Sequence, residues 1–148
     1  MKPSADRLDL ANYPHKAETP ARFSDVDMFR HLNNVAIGQF YEEVRFALIA
    51  EAREKIPRER NSQLLVVNVD TAFLRQARYP GMVSTGTGIT QRGKRSFMFD
   101  QALFQNGVCF SAADTTIVYT ENGKTADLPP EFGAMFDALK LPSFVDER

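Results

Sequence analysis

Asp25, Asp27, His31, Asn33 and Asn34 stand close together just ahead of a long helical pattern. A helix start carries unpaired backbone N–H groups and a partial positive charge, and needs no side chain to offer them. The donors here would come from about Asn33 to Val35. A carboxylate held just before them can approach an acyl substrate whose carbonyl oxygen faces those amides. One such oxyanion donor is worth about 3 to 4 kcal/mol when measured by removal. Asp25 lies two residues before Asp27, and in an extended segment the two would point the same way. Aspartate is also common in turns and helix entries, so spacing alone leaves a structural reading open for both. His31 could orient a carboxylate, contact a substrate, or pack against backbone. Asn33 and Asn34 suit a helix cap.

A second polar cluster, Arg92, Gly93, Lys94, Arg95 and Ser96, forms a compact basic turn between two strand patterns. Arginine and lysine are good phosphate donors, and a glycine lets backbone come close. A solvated hairpin tip is the competing reading. Arg75 and Arg78 are alternative phosphate partners with weaker support. The two histidines and single cysteine show no zinc spacing, so no metal site is expected. Neither a phosphate-binding glycine-rich motif nor a glycine-flanked serine nucleophile is present.

The elements that must position these groups follow from periodicity. Residues 1–15, punctuated by Pro3 and Pro14, read as an arm. Residues 16–24 form a short strand that Pro20 confines to an edge. From Val35 to about Lys55 the period is helical: Ile37, Phe40, Tyr41, Val44 and Leu48 share one face, and Phe46, Ile49 and Ala50 a second. Such a helix expects contact on more than one side. Pro57 stops it, and Gly38 is expected to let another backbone approach. The period then becomes two, over 65–74, 82–91, 95–105 and 108–120. In the first of these, Val67, Val69, Thr71 and Phe73 face one way while Asn68 and Asp70 face the other. Asn106 and Gly107 give a strong hairpin signal. Pro129 and Pro130 open a short helical segment over 131–139. Four strands joined by short connections imply an antiparallel sheet, with the one long helix covering its apolar face.

At 148 residues, 43% hydrophobic and 25% charged, the composition suits one folded domain. A net charge of -1 gives no global attraction to nucleic acid or anionic membrane. No apolar run is long enough to span a bilayer, and Met1 to Tyr13 does not read as a secretory signal. Cys109 has no partner for an internal disulfide, which favours a cytoplasmic location, and it reads as a buried small hydrophobe.

Two stretches carry a resemblance. The first is Arg22, Phe23, Ser24, Asp25, Val26 and Asp27, followed by His31, Leu32, Asn33 and Asn34, then Phe40, Tyr41 and Glu42. The second runs from Val69 and Asp70 through Phe73 to Arg75 and Arg78. Together they resemble the 4-hydroxybenzoyl-CoA thioesterase branch of the hot-dog superfamily over residues 19–120. Arg30 stands where glycine is usual, and Ile37 where an aromatic is common.

The resemblance implies an α+β hot-dog fold, an antiparallel sheet wrapped around one long helix. It implies a single domain over 1–148: the arm, a core over 19–120, and a C-terminal helical extension over 129–148. It further implies hydrolysis of an acyl-CoA thioester, with Asp27 as nucleophile or general base. The backbone amides of Asn34 and Val35 would serve as oxyanion donors, with His31 and Asn33 orienting substrate. Arg92, Lys94, Arg95 and Ser96 would meet the CoA phosphates. The expected partner is the small-molecule thioester itself, with no separate cofactor, nucleic acid or membrane. The expected assembly is a homodimer or homotetramer with the site between subunits. A non-catalytic acyl-CoA-binding protein and an acyl-carrier-protein thioesterase are the alternatives.

Overall fold

Asn33 sets the start of the long helix. Its side chain accepts a hydrogen bond from the Ala36 amide at 2.8 Å, which caps helix α1, Asn34–Arg53. A computed structural model describes residues 1–142; the last part of the expected C-terminal extension lies outside the described residues. α1 ends before Pro57, as a ring without an N–H requires.

The strands are β1 His15–Pro20, β2 Ser62–Phe73, β3 Met82–Arg92, β4 Ser96–Gln105, β5 Val108–Glu121 and β6 Lys124–Thr125. They form one antiparallel sheet in the order β1-β3-β4-β5-β2, with β6 paired to β5. β1 is an edge, as Pro20 demanded. Asn106 and Gly107 take φ of 51° and 75° in the β4–β5 hairpin. Asn122 and Gly123 repeat that pattern before β6.

β3, β4, β5 and β6 pair in sequence order, each with the next. β2 does not pair with β3; it lies at the opposite edge, beside β5. The connection over 74–81 is long enough to cross the end of the sheet, and the loop ahead of α1 bonds to it: Leu32 N donates to Ala77 O at 2.8 Å.

The inner face of the sheet closes over α1. Ile37, Phe40 and Tyr41 pack with Val83, Leu103, Phe110 and Ala113. Nearer the other end, Ala52 packs with Phe97, Phe99, Ile117, Tyr119 and the C-terminal helix α2, Gly133–Leu139. Burial of these side chains supplies about 25 cal/mol for each Å² removed from water. The second face of α1 is only partly covered by its own chain, with Ile49 packed against the core. Phe46 is 72% exposed, and Gly38 faces open space rather than another backbone.

The outer face carries a row of carboxylates: Asp70, Asp114 and Asp100 sit directly opposite one another on β2, β5 and β4. Like charges so placed repel. The N-terminal arm answers them. It folds into two 3₁₀ turns and lays buried Arg7 between Asp100, at 3.0 Å, and Asp114, at 2.9 Å. Tyr13 of the same arm donates to Asp100 at 3.2 Å. Its ring occupies the space that a side chain at Gly86 would need. This is the expected hot-dog arrangement, a curled antiparallel sheet around one long helix, with an arm sealed onto the back.

Candidate active site

Residues 25–33 close into a tight loop because their backbone groups pair with one another. Asp27 N donates to His31 O at 2.9 Å, Arg30 N donates to Asp27 O at 3.0 Å, and Val26 bridges Leu32. The turn forces Arg30 to φ 62°, a left-handed conformation that favours glycine. That is a physical reason for a glycine at this point in similar sequences.

Asp27 is exposed at the loop's rim. Its Oδ1 accepts from the Phe29 amide at 2.8 Å and the His31 amide at 3.2 Å. No hydrogen bond to its Oδ2 occurs among the described residues. One oxygen therefore fixes the carboxylate while the other stays available.

Asp25 is turned inward instead. It is 2% exposed and accepts from the Arg22 amide at 2.8 Å and from the Arg22 guanidinium at 2.9 Å. Burial alone would raise its pKa, but the Arg22 hydrogen bonds and charge outweigh that and hold the carboxyl below its ordinary value. Its backbone carbonyl accepts from Asn33 N at 2.9 Å, tying the helix cap to the loop. The two aspartates thus do not point the same way, because the chain turns at a 3₁₀ element, Phe23–Asp25.

Helix α1 presents its first amides beside Asp27. The Ala36 amide is taken by the Asn33 side chain and the Ile37 amide by the Asn33 carbonyl. The amides of Asn34 and Val35 have no hydrogen-bond partner among the described residues. Asp27, Asn33, Asn34, Val35 and Gln39 line one open cleft of about 460 Å³. Asp27 also borders a second depression of about 370 Å³, with His31, Ile37, Phe73, Arg75 and Gln76. The carboxylate therefore stands on a ridge between the helix start and the end of β2. Arg30 lines neither space.

Of the residues expected at the site, Asn33, Asn34 and Val35 line the first cleft with Asp27, while His31 and Asn34 line the second with it. Sequence reasoning missed the contribution of Phe73 and Gln76, because pairing β2 with β5 rather than β3 is what brings the end of β2 to Asp27. The leucine-arginine-glutamine run after Phe73 was the available signal.

The basic turn lies elsewhere. Pro20, which leads into the Asp27 loop, pairs with Met82 at one end of β3, and Arg92 closes the other end. An eleven-residue strand spans roughly 35 Å. Lys94 and Arg95 both pair with Asp127, at 3.5 and 3.0 Å, and Gly93 N donates to Ser96 O at 2.8 Å. Arg92 turns away from the tip and stacks on Phe136, 4.4 Å from the ring centre. Within one chain this turn does not reach the Asp27 cleft.

Cys109 is buried, and burial pushes its thiol up to about 11, so it is not poised as a nucleophile. Tyr41 is core, donating to Ser111 Oγ at 2.8 Å. Among the described residues, no group of three or more histidine, cysteine, aspartate or glutamate side chains could hold a metal ion. No helix there is long and apolar enough to cross a membrane.

A curled sheet around a single long helix, with a carboxylate at that helix's amino end, defines a hot-dog domain. The chain belongs to the thioesterase-like superfamily, whose family model matches residues 21–136. No curated protein matches the sequence.

Solved structures do. A thioesterase from Thermus thermophilus, complexed with coenzyme A and zinc, is 22% identical with a TM-score of 0.76, covering 86% of this chain and 95% of that one. A protein from Pseudomonas aeruginosa is 21% identical with a TM-score of 0.80, covering 90% and 96%. A 1,4-dihydroxy-2-naphthoyl-CoA thioesterase from Synechocystis is 18% identical with a TM-score of 0.73, covering 82% and 94%. At these identities the likeness is one of fold.

Proposed function

We propose that this protein hydrolyses an acyl-CoA thioester, with Asp27 as nucleophile or general base. The observation that carries this reading is the shared cleft: a carboxylate with one unoccupied oxygen beside two unoccupied helix amides. A thioester carbonyl seated there turns its oxygen toward Asn34 N and Val35 N, which are fixed before the reaction begins. Asp27 Oδ2 then attacks the carbonyl carbon or takes a proton from an attacking water. Asn33 holds the helix start, and His31 holds Asp27 through its amide and faces the second depression. Arg30, which lines neither space, does not obstruct substrate; this favours turnover over a purely binding role.

The working unit in this proposal is a homodimer, alone or within a homotetramer. β2 is an edge strand with Val66, Val67, Val69 and Phe73 each more than half exposed, and Phe46 of α1 lies bare as well. A long apolar edge left open is a template for another chain. Antiparallel pairing of two β2 edges sets the end of one β2 against the start of the other. β4 is two strands from β2 and Ser96 shares a row with Leu65, so the partner subunit's Ser96 comes within about 15 Å of the β2 edge that leads to Asp27. In this arrangement the partner subunit's Lys94 and Arg95 meet the CoA phosphates. The coenzyme is then part of the substrate rather than a resident cofactor, and the chain's setting is the cytoplasm.

A thiol-release panel over short, long and aromatic acyl-CoAs tests the reading, with carrier-protein-linked esters run in parallel. Turnover of at least one CoA ester is expected. Binding without release across the whole panel would replace the enzyme with a non-catalytic acyl-CoA-binding protein, and release from carrier-linked esters alone would move the substrate to that class.

A further inference from the structure

The Asp27 carboxylate is fixed by backbone amides, and that backbone rests on the connection over 74–81. The chain is bonded to this connection both before and after Asp27. Before it, Ala21 N donates to Gly81 O at 2.8 Å. After it, Leu32 N donates to Ala77 O at 2.8 Å, and His31 bridges Arg78 in antiparallel fashion. His31 is the residue whose amide and carbonyl bond to Asp27, so Arg78 lies one residue pair away from the carboxylate. Phe23 adds a side-chain link, its ring edge-on to Tyr79 with centres 5.9 Å apart.

The connection itself needs an anchor. Where it leaves β2, Leu74 N and Arg75 N donate to Phe110 O. Nearer the Asp27 loop, the bond of the His31–Arg78 bridge runs between their neighbours, Leu32 and Ala77. That leaves the N–H and C=O of Arg78 on the opposite edge. One side chain meets both. Gln105 Oε1 accepts from Arg78 N at 2.9 Å, and Gln105 Nε2 donates to Arg78 O at 2.8 Å. A carboxamide carries both the acceptor and the donor required, and only one orientation of it satisfies the pair.

Gln105 is itself well placed to serve as an anchor. It ends β4 and pairs with Val108 across the Asn106-Gly107 turn, so the hairpin sets its backbone. Gly81 leaves room for its amide, since a β-carbon there would come within 2.8 Å of Gln105 Nε2.

We infer that Gln105 is a positioning residue for Asp27. It clamps Arg78 to the β4–β5 hairpin and, through the His31 bridge, sets where the carboxylate stands against the first amides of α1. Gln105 lines neither space beside Asp27, so it acts through the backbone and not on substrate. Each bond is modest in net energy. Their weight is geometric, because a displacement of about 1 Å at a reacting group can lower the rate by about 100-fold. The catalytic part of this inference rests on the hydrolytic reading proposed above.

Two independent variants break the clamp. Gln105→Met keeps the length of the side chain and removes both bonds. Gly81→Ala keeps Gln105 but pushes its amide off Arg78, and Gly81 lies outside the left-handed region, so alanine suits its backbone. In each variant of the full chain, amide hydrogen exchange should quicken about tenfold at Ala21, Asp27 and Leu32. Amides within β4 and β5 should keep the parent's protection, whereas a general loss of stability would quicken them as well. On an acyl-CoA that the parent turns over, kcat should fall about tenfold with KM within about twofold. The double variant should lose little more than either single one, because both remove the same clamp. If one variant fails to fold, the other carries both readouts. Parental exchange at Ala21 and Leu32, or fast exchange there with parental kcat, would overturn the inference. A parent that releases no thiol from any acyl-CoA would refute the hydrolytic reading instead, and exchange alone would then decide whether Gln105 holds the loop.

Discussion

Arg30 holds a left-handed conformation so that the loop before α1 can turn tightly and keep Asp27 at its rim. A side chain with a β-carbon pays about 1 to 2 kcal/mol to sit there, and glycine does not. Arg30 is exposed and lines neither space beside Asp27, so it gains nothing visible in return. Arg30→Gly should therefore stabilise the protein by about 1 kcal/mol, less the extra freedom glycine restores to the unfolded chain. Thermal unfolding of the two proteins measures it, and a clear loss of stability would show that the Arg30 side chain makes a contact that matters. The aspartates two positions apart divide at the same scale. Asp25 is sequestered by Arg22 and locks the helix cap, while Asp27 meets only backbone amides. Sequence spacing could not separate these roles, because it depends on a 3₁₀ turn between them that no period of two or 3.6 announces.

Elements with a strong period were legible. α1, the β4–β5 hairpin and the edge status of β1 all follow from apolar spacing, Asn106 with Gly107, and Pro20. The position of β2 was not, because an eight-residue connection permits either a neighbouring strand or a crossing to the far edge. The N-terminal arm was also illegible, since its anchor is a charge pattern across strands distant in sequence. Asp100 and Asp114 face each other only once β4 and β5 are in register, and only then does a cation at Arg7 become necessary. Removing one partner of a buried ion group leaves uncompensated charge and costs about 3 to 5 kcal/mol. Arg7→Ala should lower stability by that amount, read by urea unfolding. A loss well under 1 kcal/mol would mean that the arm is dispensable and that solvent reaches both carboxylates.

At the scale of the whole molecule, the bare flank formed by β2 and Phe46 is the feature that one chain leaves unfinished. Charge on an edge strand blocks edge-to-edge pairing, so Val69→Lys should yield monomers in sedimentation while the fold persists. It should also lower thioester turnover, because the proposed substrate lies across the pair. A Val69→Lys protein that sediments like the parent would place the subunit contact elsewhere. The proposed hydrolysis turns on Asp27 in the assembled protein, and Asp27→Asn tests it most directly. Asparagine keeps an oxygen for the amides of Phe29 and His31, so the loop and the subunit contact should survive while the carboxylate is gone. CoA thiol release by the assembled Asp27→Asn protein should fall by about 100-fold or more, with unfolding temperature and sedimentation unchanged. Turnover equal to the parent's on the same acyl-CoA would contradict the account and move the chemistry away from this carboxylate.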